Sequence, residues 1–110
     1  MTIGFELDGL SFTGLNGGPV FKFTEAISLV VHCETQAEVD HYWERLTADG
    51  GKPNQCAWLK DKFGVSWQIV PAALIELLQD EDPARSARVM QAMMQMTKID
   101  IARLQAARAG

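Results

Sequence analysis

The chain has 110 residues, 47% of them apolar and 22% charged, the balance of one folded domain. Ten basic and fourteen acidic side chains give a net charge of −4, so the basic surface that nucleic acid or an anionic membrane requires is missing and neither partner is expected. Residues 1–50 hold two basic and eight acidic side chains, residues 51–110 eight and six; solvated surface accounts for this, and it also suits pairing between two copies. So short a chain buries a modest fraction of its surface, which partner subunits supplement. No apolar run reaches the roughly 18 residues of a membrane span, and Met1–Glu6 lacks the basic and apolar regions of a signal peptide. Cys33 and Cys56 stand alone, without metal-like spacing. The sequence predicts a cytoplasmic protein with two reduced thiols.

Phe5 to Phe12 alternates apolar and polar residues around Asp8-Gly9, a dipeptide suited to the positive φ angles of a tight hairpin turn. The second strand is expected to reach about Leu15 and stop at Asn16-Gly17-Gly18-Pro19. Residues 26–32 then read as a strand with unequal faces, Ile27, Leu29 and Val31 on one and Ala26, Ser28, Val30 and His32 on the other. Thr35 and Glu38 form a capping box. Val39, Tyr42, Trp43 and Leu46 follow at helical spacing as one apolar stripe, and Gly50-Gly51 supplies the left-handed stop. Trp43 reads as a core anchor and His41, off the stripe, as solvated.

Residues 55–59 and 65–70 form a second predicted hairpin around Lys60–Gly64. Val65, Trp67 and Ile69 share one face; Ser66, Gln68 and Val70 share the other. Two strands thus turn one face to the helix stripe and carry Ser28, Ser66 and Gln68 on the opposite one, a pattern suggesting a concave binding face. The tail is helical: a short helix over Pro71–Gln79, a second capped by Asp82-Pro83, then a break near Thr97 and a last helix capped by Asp100 through Ile101 and Leu104. Val89, Met90, Met93 and Met96 make a flexible apolar stripe of the kind found in cores and subunit contacts.

The reactive residues name no reaction. Asn16–Pro19 leads into no helix, so a phosphate-binding loop fails on context. His32, Cys33 and Glu34 are adjacent, and alternation lets at most two point the same way. Glu34 and Glu38 flank a helix start, where the helix dipole favours negative charge without catalysis.

Four stretches carry a resemblance: LNGGP at 15–19, FKFTEAISLVV at 21–31, WLKDKFGVSWQIVP at 58–71 and RVMQAMMQMTKIDIARLQAA at 88–107. Together they resemble the PhnB-like proteins of the glyoxalase/bleomycin-resistance (vicinal oxygen chelate) superfamily, many of which are called demethylubiquinone methyltransferases. The resemblance implies an α+β fold, a βαβββ module with a mostly antiparallel, curled sheet followed by C-terminal helices. It makes residues 1–110 a single glyoxalase-like domain: 4–19 the remnant hairpin of a first module, 26–71 a complete module and 72–108 a helical tail. The family's usual N-terminal strand and helix are missing before Met1, so a homodimer is expected to close the cavity. Metal-dependent relatives similar to glyoxalase I carry a His and a Glu at the positions of Ala26 and Gln68. Alanine cannot ligate and an amide replaces a carboxylate poorly, so no metal site and no cofactor is expected. Nothing resembles an S-adenosylmethionine site.

The leading functional expectation is a metal-independent protein that binds a small polar or amphipathic molecule in a dimeric sheet cavity, with Ser28, Ser66 and Gln68 as hydrogen-bonding groups and Asn16 at the rim. Each of these four also reads as an ordinary satisfied polar residue. Two alternatives stand beside it: an enzyme of the superfamily (metal-dependent lyase, isomerase or dioxygenase, or methyltransferase), and a structural or regulatory subunit docking through the Met-rich helix.

Overall fold

A computed structural model describes residues 1–110, with six strands and four α-helices. The chain opens with an antiparallel hairpin, β1 (Thr2–Leu7) and β2 (Leu10–Leu15). Its turn residues Asp8 and Gly9 have φ of 50° and 80°, the left-handed pair that a two-residue hairpin turn requires. After an irregular segment come β3 (Ser28–Cys33), α1 (Gln36–Thr47), β4 (Lys52–Pro53), β5 (Trp58–Lys60) and β6 (Ser66–Pro71). The tail adds α2 (Ala72–Leu78), α3 (Pro83–Met94) and α4 (Ile101–Ala109). The architecture is α+β with two sheets, the hairpin alone and a four-stranded sheet ordered β3-β6-β5-β4. In that sheet only β3 and β6 run parallel; β6–β5 and β5–β4 are antiparallel. One chain forms no barrel.

Local chemistry explains the boundaries. Thr35 Oγ1 accepts from the Glu38 N–H at 3.2 Å and starts α1. Val39 is fully buried and Trp43 8% exposed; with Cys33, Leu59 and Ile69 they form one core between α1 and the sheet, flanked by Val31, Leu46 and Trp67. Tyr42 departs from its stripe and is 39% exposed, because it lies at the stripe's edge and its ring packs edge-on to His41 instead. The helix stops differently from expectation. Asp49 and Gly50 take the left-handed angles, whereas Gly51 has φ −66° and is required by space. A Cβ there would lie 2.7 Å from Leu46 O and Thr47 Cα and 2.9 Å from Lys60 O.

Two strands are shorter than the alternation predicts. β3 starts at Ser28 rather than Ala26, and Ile27 is 78% exposed. The strand expected over 55–59 begins only at Trp58, because Cys56 and Ala57 have φ of 58° and 75°, incompatible with extended backbone. The tail fixes that bend: Cys56 N–H donates to Met96 O at 2.9 Å and Ala57 N–H to Thr97 O at 3.0 Å. Ala57 thereby joins the second core, with Leu74, Val89, Met96, Ile99 and Leu104. Asp82 and Asp100 cap α3 and α4 through the Ala84 and Arg103 N–H groups, where the sequence places them. Of the methionine stripe, Met96 is buried and Met93 packs against it, but Met90 is 42% exposed.

Two substitutions test this packing. Val39→Asp puts an unpaired charge into the core under α1, which burial penalises by several kcal/mol, and the cooperative thermal transition is expected to disappear; melting unchanged from wild type would contradict the helix-on-sheet core. Gly51→Ala forces a Cβ onto backbone atoms, at an expected cost of about 1–3 kcal/mol, seen as a lower urea midpoint with an unchanged slope.

Candidate functional site

β6 divides the body. Its Trp67 and Ile69 pack toward α1, so alternation turns Ser66, Gln68 and Val70 to the opposite face. Val70 packs on the tail core, and Ser66 and Gln68 belong to neither core. The register sets their neighbours: Ser66 lies between Ser28 of β3 and Lys60 of β5, and Gln68 between Val30 and Trp58. Three of the four predicted site residues therefore stand together, and Gln68 Nε2 donates to Ser28 Oγ at 2.9 Å. Ser66 is 1% exposed, and its Oγ has no hydrogen-bond partner in the chain. Asn16 stands apart from them. It lies at the foot of the hairpin, where its backbone N–H donates to Met1 O at 3.0 Å, and shares no hydrogen bond with the other three.

Sequence reading missed two residues that build this region. Asp61 follows β5 and organises the β5–β6 turn: Oδ1 accepts from Phe63 N–H and Val65 N–H at 2.9 and 3.0 Å, and Oδ2 from Trp67 Nε1 at 2.9 Å. The Asp-x-x-Gly pattern ending at Gly64, whose φ is 88°, was the available signal. Lys60, the cross-strand neighbour of Ser66, holds Glu25 at 2.8 Å, which anchors the irregular segment to the sheet. The Lys60 hydrogen bond keeps the Glu25 carboxyl below the usual carboxylate range. Cys33 is 1% exposed, and burial raises its thiol pKa, which marks it as core rather than nucleophile.

The residues do not fit a divalent metal. Ala26 offers no donor side chain, the Gln68 amide is engaged with Ser28, and no three of His, Cys, Asp and Glu converge. Two surface depressions lie away from this face. One, of about 600 Å³, is lined by Gln79, Asp80, Glu81, Asp82, Arg85 and Arg108; the other, of about 130 Å³, lies around Arg45, Asp61 and Phe63. No helix is long and apolar enough to cross a membrane.

The family model for 3-demethylubiquinone-9 3-methyltransferase matches residues 1–70, through the hairpin, α1 and nearly all of β6. The chain belongs to that family. Among solved structures it is similar to a putative 3-demethylubiquinone-9 3-methyltransferase, the PhnB protein of Bacillus cereus, with 34% identity and a TM-score of 0.58 over 66% of this chain. It spans 64% of that protein's length. No curated protein matches the chain. With its PhnB neighbour, this family member shares a fold of the glyoxalase/bleomycin-resistance type, and the matched region contains the hairpin and every candidate residue while the tail lies beyond it.

In this PhnB-like chain the tail is tied on by carboxylates. Asp40 meets Lys98 at 2.8 Å and Gln36 at 2.9 Å; Gln36 also donates to Ile99 O and accepts from Ile101 N–H. Asp80 meets Arg108 at 2.6 Å and the Asp82 N–H at 2.9 Å. The Lys98 and Gln36 hydrogen bonds hold the Asp40 carboxyl below the usual range, and the Asp82 N–H, then Arg108, do the same for Asp80. A folded pKa below the unfolded one stabilises above the ordinary carboxylate range, and the contribution is lost as pH falls from about 4. Amide exchange in α3 and α4 is therefore expected to accelerate through that window before it does in α1 and β6, and added salt reduces the effect.

Proposed function

We propose that this protein binds a small polar or amphipathic molecule, without a metal, on the face of β3, β6 and β5 opposite α1, and that a second copy closes that face in a homodimer. In this reading residues 26–71 act as a complete module, residues 4–19 as the remnant of another, and residues 72–108 as a supporting tail. The observation that carries it is the Ser66 hydroxyl, buried and without a partner. A buried hydroxyl left unpaired costs about 1–3 kcal/mol, and such groups are rare enough in folded proteins to require an explanation. A ligand that donates to or accepts from Oγ removes the penalty.

The surroundings define the ligand's chemistry. Gln68 commits its Nε2 to Ser28 and keeps Oε1 as an acceptor, while Val30 and Trp58 supply apolar surface on either side. That set suits a flat, partly apolar molecule bearing a hydroxyl. Asn16, on the hairpin, stands at the rim only when the hairpin is brought up to the face. Lys60 lies beside Ser66 and makes an exposed ion pair with Glu25, a contact that parts at little cost when a ligand enters. A demethylubiquinone-type phenol, the compound in the relatives' names, has this amphipathic character. Methyl transfer is not part of the proposal: β3 runs into α1 through Glu34 and Thr35 alone, with no glycine loop to cradle a nucleoside cofactor.

Ser66→Ala separates binding from a merely structural role. Removing an unpaired hydroxyl is expected to raise the melting temperature of the ligand-free protein by a few degrees, from about 1 kcal/mol. The same change is expected to weaken binding of a short-chain demethylubiquinol at least about tenfold, the loss of one hydrogen bond. Native mass spectrometry of fresh protein gives subunit number and any retained organic mass. A variant that binds the quinol as well as wild type, or is destabilised without ligand, would overturn the assignment of Ser66.

A further inference from the structure

The row of side chains through Ser66 is rich in donors and carries no negative charge. Ser28 of β3, Ser66 of β6 and Lys60 of β5 are cross-strand partners, and alternation points them to the same side of the sheet. Ser28 Oγ accepts from Gln68 Nε2 at 2.9 Å, which leaves its own proton free to donate. Ser66, 1% exposed, has no partner for its Oγ. Lys60 adds an ammonium with three N–H donors. No strand of this sheet carries an aspartate or glutamate, although the chain has fourteen of them.

The acid that reaches this row comes from outside the sheet. Glu25 Oε1 meets Lys60 Nζ at 2.8 Å. That ion pair is the only hydrogen bond or salt bridge joining residues 18–27 to the rest of the chain, and every residue of the segment is exposed. The Lys60 and Glu25 side chains are themselves 39% and 57% exposed, and a pair in such a setting is worth little. Glu25 is thus an anion held loosely at the end of a donor row whose buried hydroxyl is unsatisfied.

We propose that this face takes a flat, partly apolar carboxylic acid, whose carboxylate displaces Glu25 from the Lys60 ammonium and accepts from the Ser66 hydroxyl. The proposal rests on the binding reading above and narrows its ligand class, because the oxygen placed on Ser66 is now an ionised one. Hydrogen bonds to a charged acceptor are roughly twice as strong as neutral ones. A neutral hydroxyl satisfies Ser66 but leaves Lys60 with Glu25 and gains nothing from its charge. A phenol, with a pKa of about 10, is neutral at physiological pH and meets the row in that weaker way. Glu25 acts as a competitor tied to the chain. An uncharged ligand leaves it in place, whereas an acid releases it and with it the one polar tether of residues 18–27.

Two probes of one shape separate charge from fit: para-hexylbenzoate and its neutral amide, para-hexylbenzamide, each titrated into the protein by calorimetry at neutral pH. Wild type is expected to bind the benzoate at least about tenfold tighter than the amide, the scale of one hydrogen bond to a charged group. Lys60→Met is expected to shrink that preference below about threefold. Glu25→Gln, which removes the competitor, is expected to tighten benzoate binding by about threefold. Neither substitution removes a core side chain. Bound benzoate, and not the amide, is expected to quicken tryptic cleavage after Lys22, inside the released segment. Equal affinity for the two probes overturns the proposal, and so does a preference that survives Lys60→Met. Benzoate that fails to bind, binds Glu25→Gln no more tightly than wild type, or leaves the cleavage rate unchanged overturns it too. Demethylubiquinol binding that still depends on Ser66 would in each case leave the binding reading standing, so the two failures are distinct.

Discussion

The alternation of β6 is the constraint on which the body depends. This one strand is parallel to β3 and antiparallel to β5, and each of its residues is assigned to a different task by the direction it points. Trp67 and Ile69 serve the core under α1, Val70 meets the tail core, and Ser66 and Gln68 form a polar row that belongs to neither core. A slip of one residue in the pairing would bring a hydroxyl and an amide under α1 and expose Ile69. The parallel pairing with β3 must also form across the whole of α1, so helix, parallel pair and core are mutually dependent. Burial of Val39, Leu59 and Ile69 holds the register that brings Ser28 to Ser66.

What the sequence made legible follows from this. Period-two and helical patterns show which residues share a face, and they identified the α1 stripe, the Asp8-Gly9 turn, the three caps of α1, α3 and α4, and the grouping of Ser28, Ser66 and Gln68. They failed where tertiary contacts override local pattern. Cys56 and Ala57 have ordinary strand neighbours, and only the hydrogen bonds that their N–H groups donate to Met96 O and Thr97 O across the fold explain why their backbone turns left-handed. The Gly50-Gly51 pair predicts a helix stop, whereas the role of Gly51 at a close approach between α1 and β5 has no local signature. Asn16, expected at the rim, stands instead at the foot of the hairpin, and the local pattern around it carries no information about its distance from β6.

The polar pins were the least legible part. Asp61 binds two backbone N–H groups and an indole, and Gln36 joins α1 to both sides of the α4 start. Each is one polar residue among many in the sequence, and its importance arises from partners up to 65 positions away. Their effect is to fix orientation. The two apolar cores would tolerate some sliding between the α1–sheet layer and the tail, whereas Gln36, Asp40 and the bonds at Cys56 and Ala57 specify one arrangement.

Ser66 and the hairpin express the same physics at different scales. Each is a well-formed piece whose partner is not in the chain: a hydroxyl with no acceptor, and an amphipathic sheet with no layer to cover it. Single-chain stability favours alanine at the first and polar residues at Phe5 and Leu10 in the second. Retaining both costs folding free energy that a 110-residue domain has little of. Anything that binds only the folded chain and meets either piece recovers part of that cost and stabilises the fold by mass action.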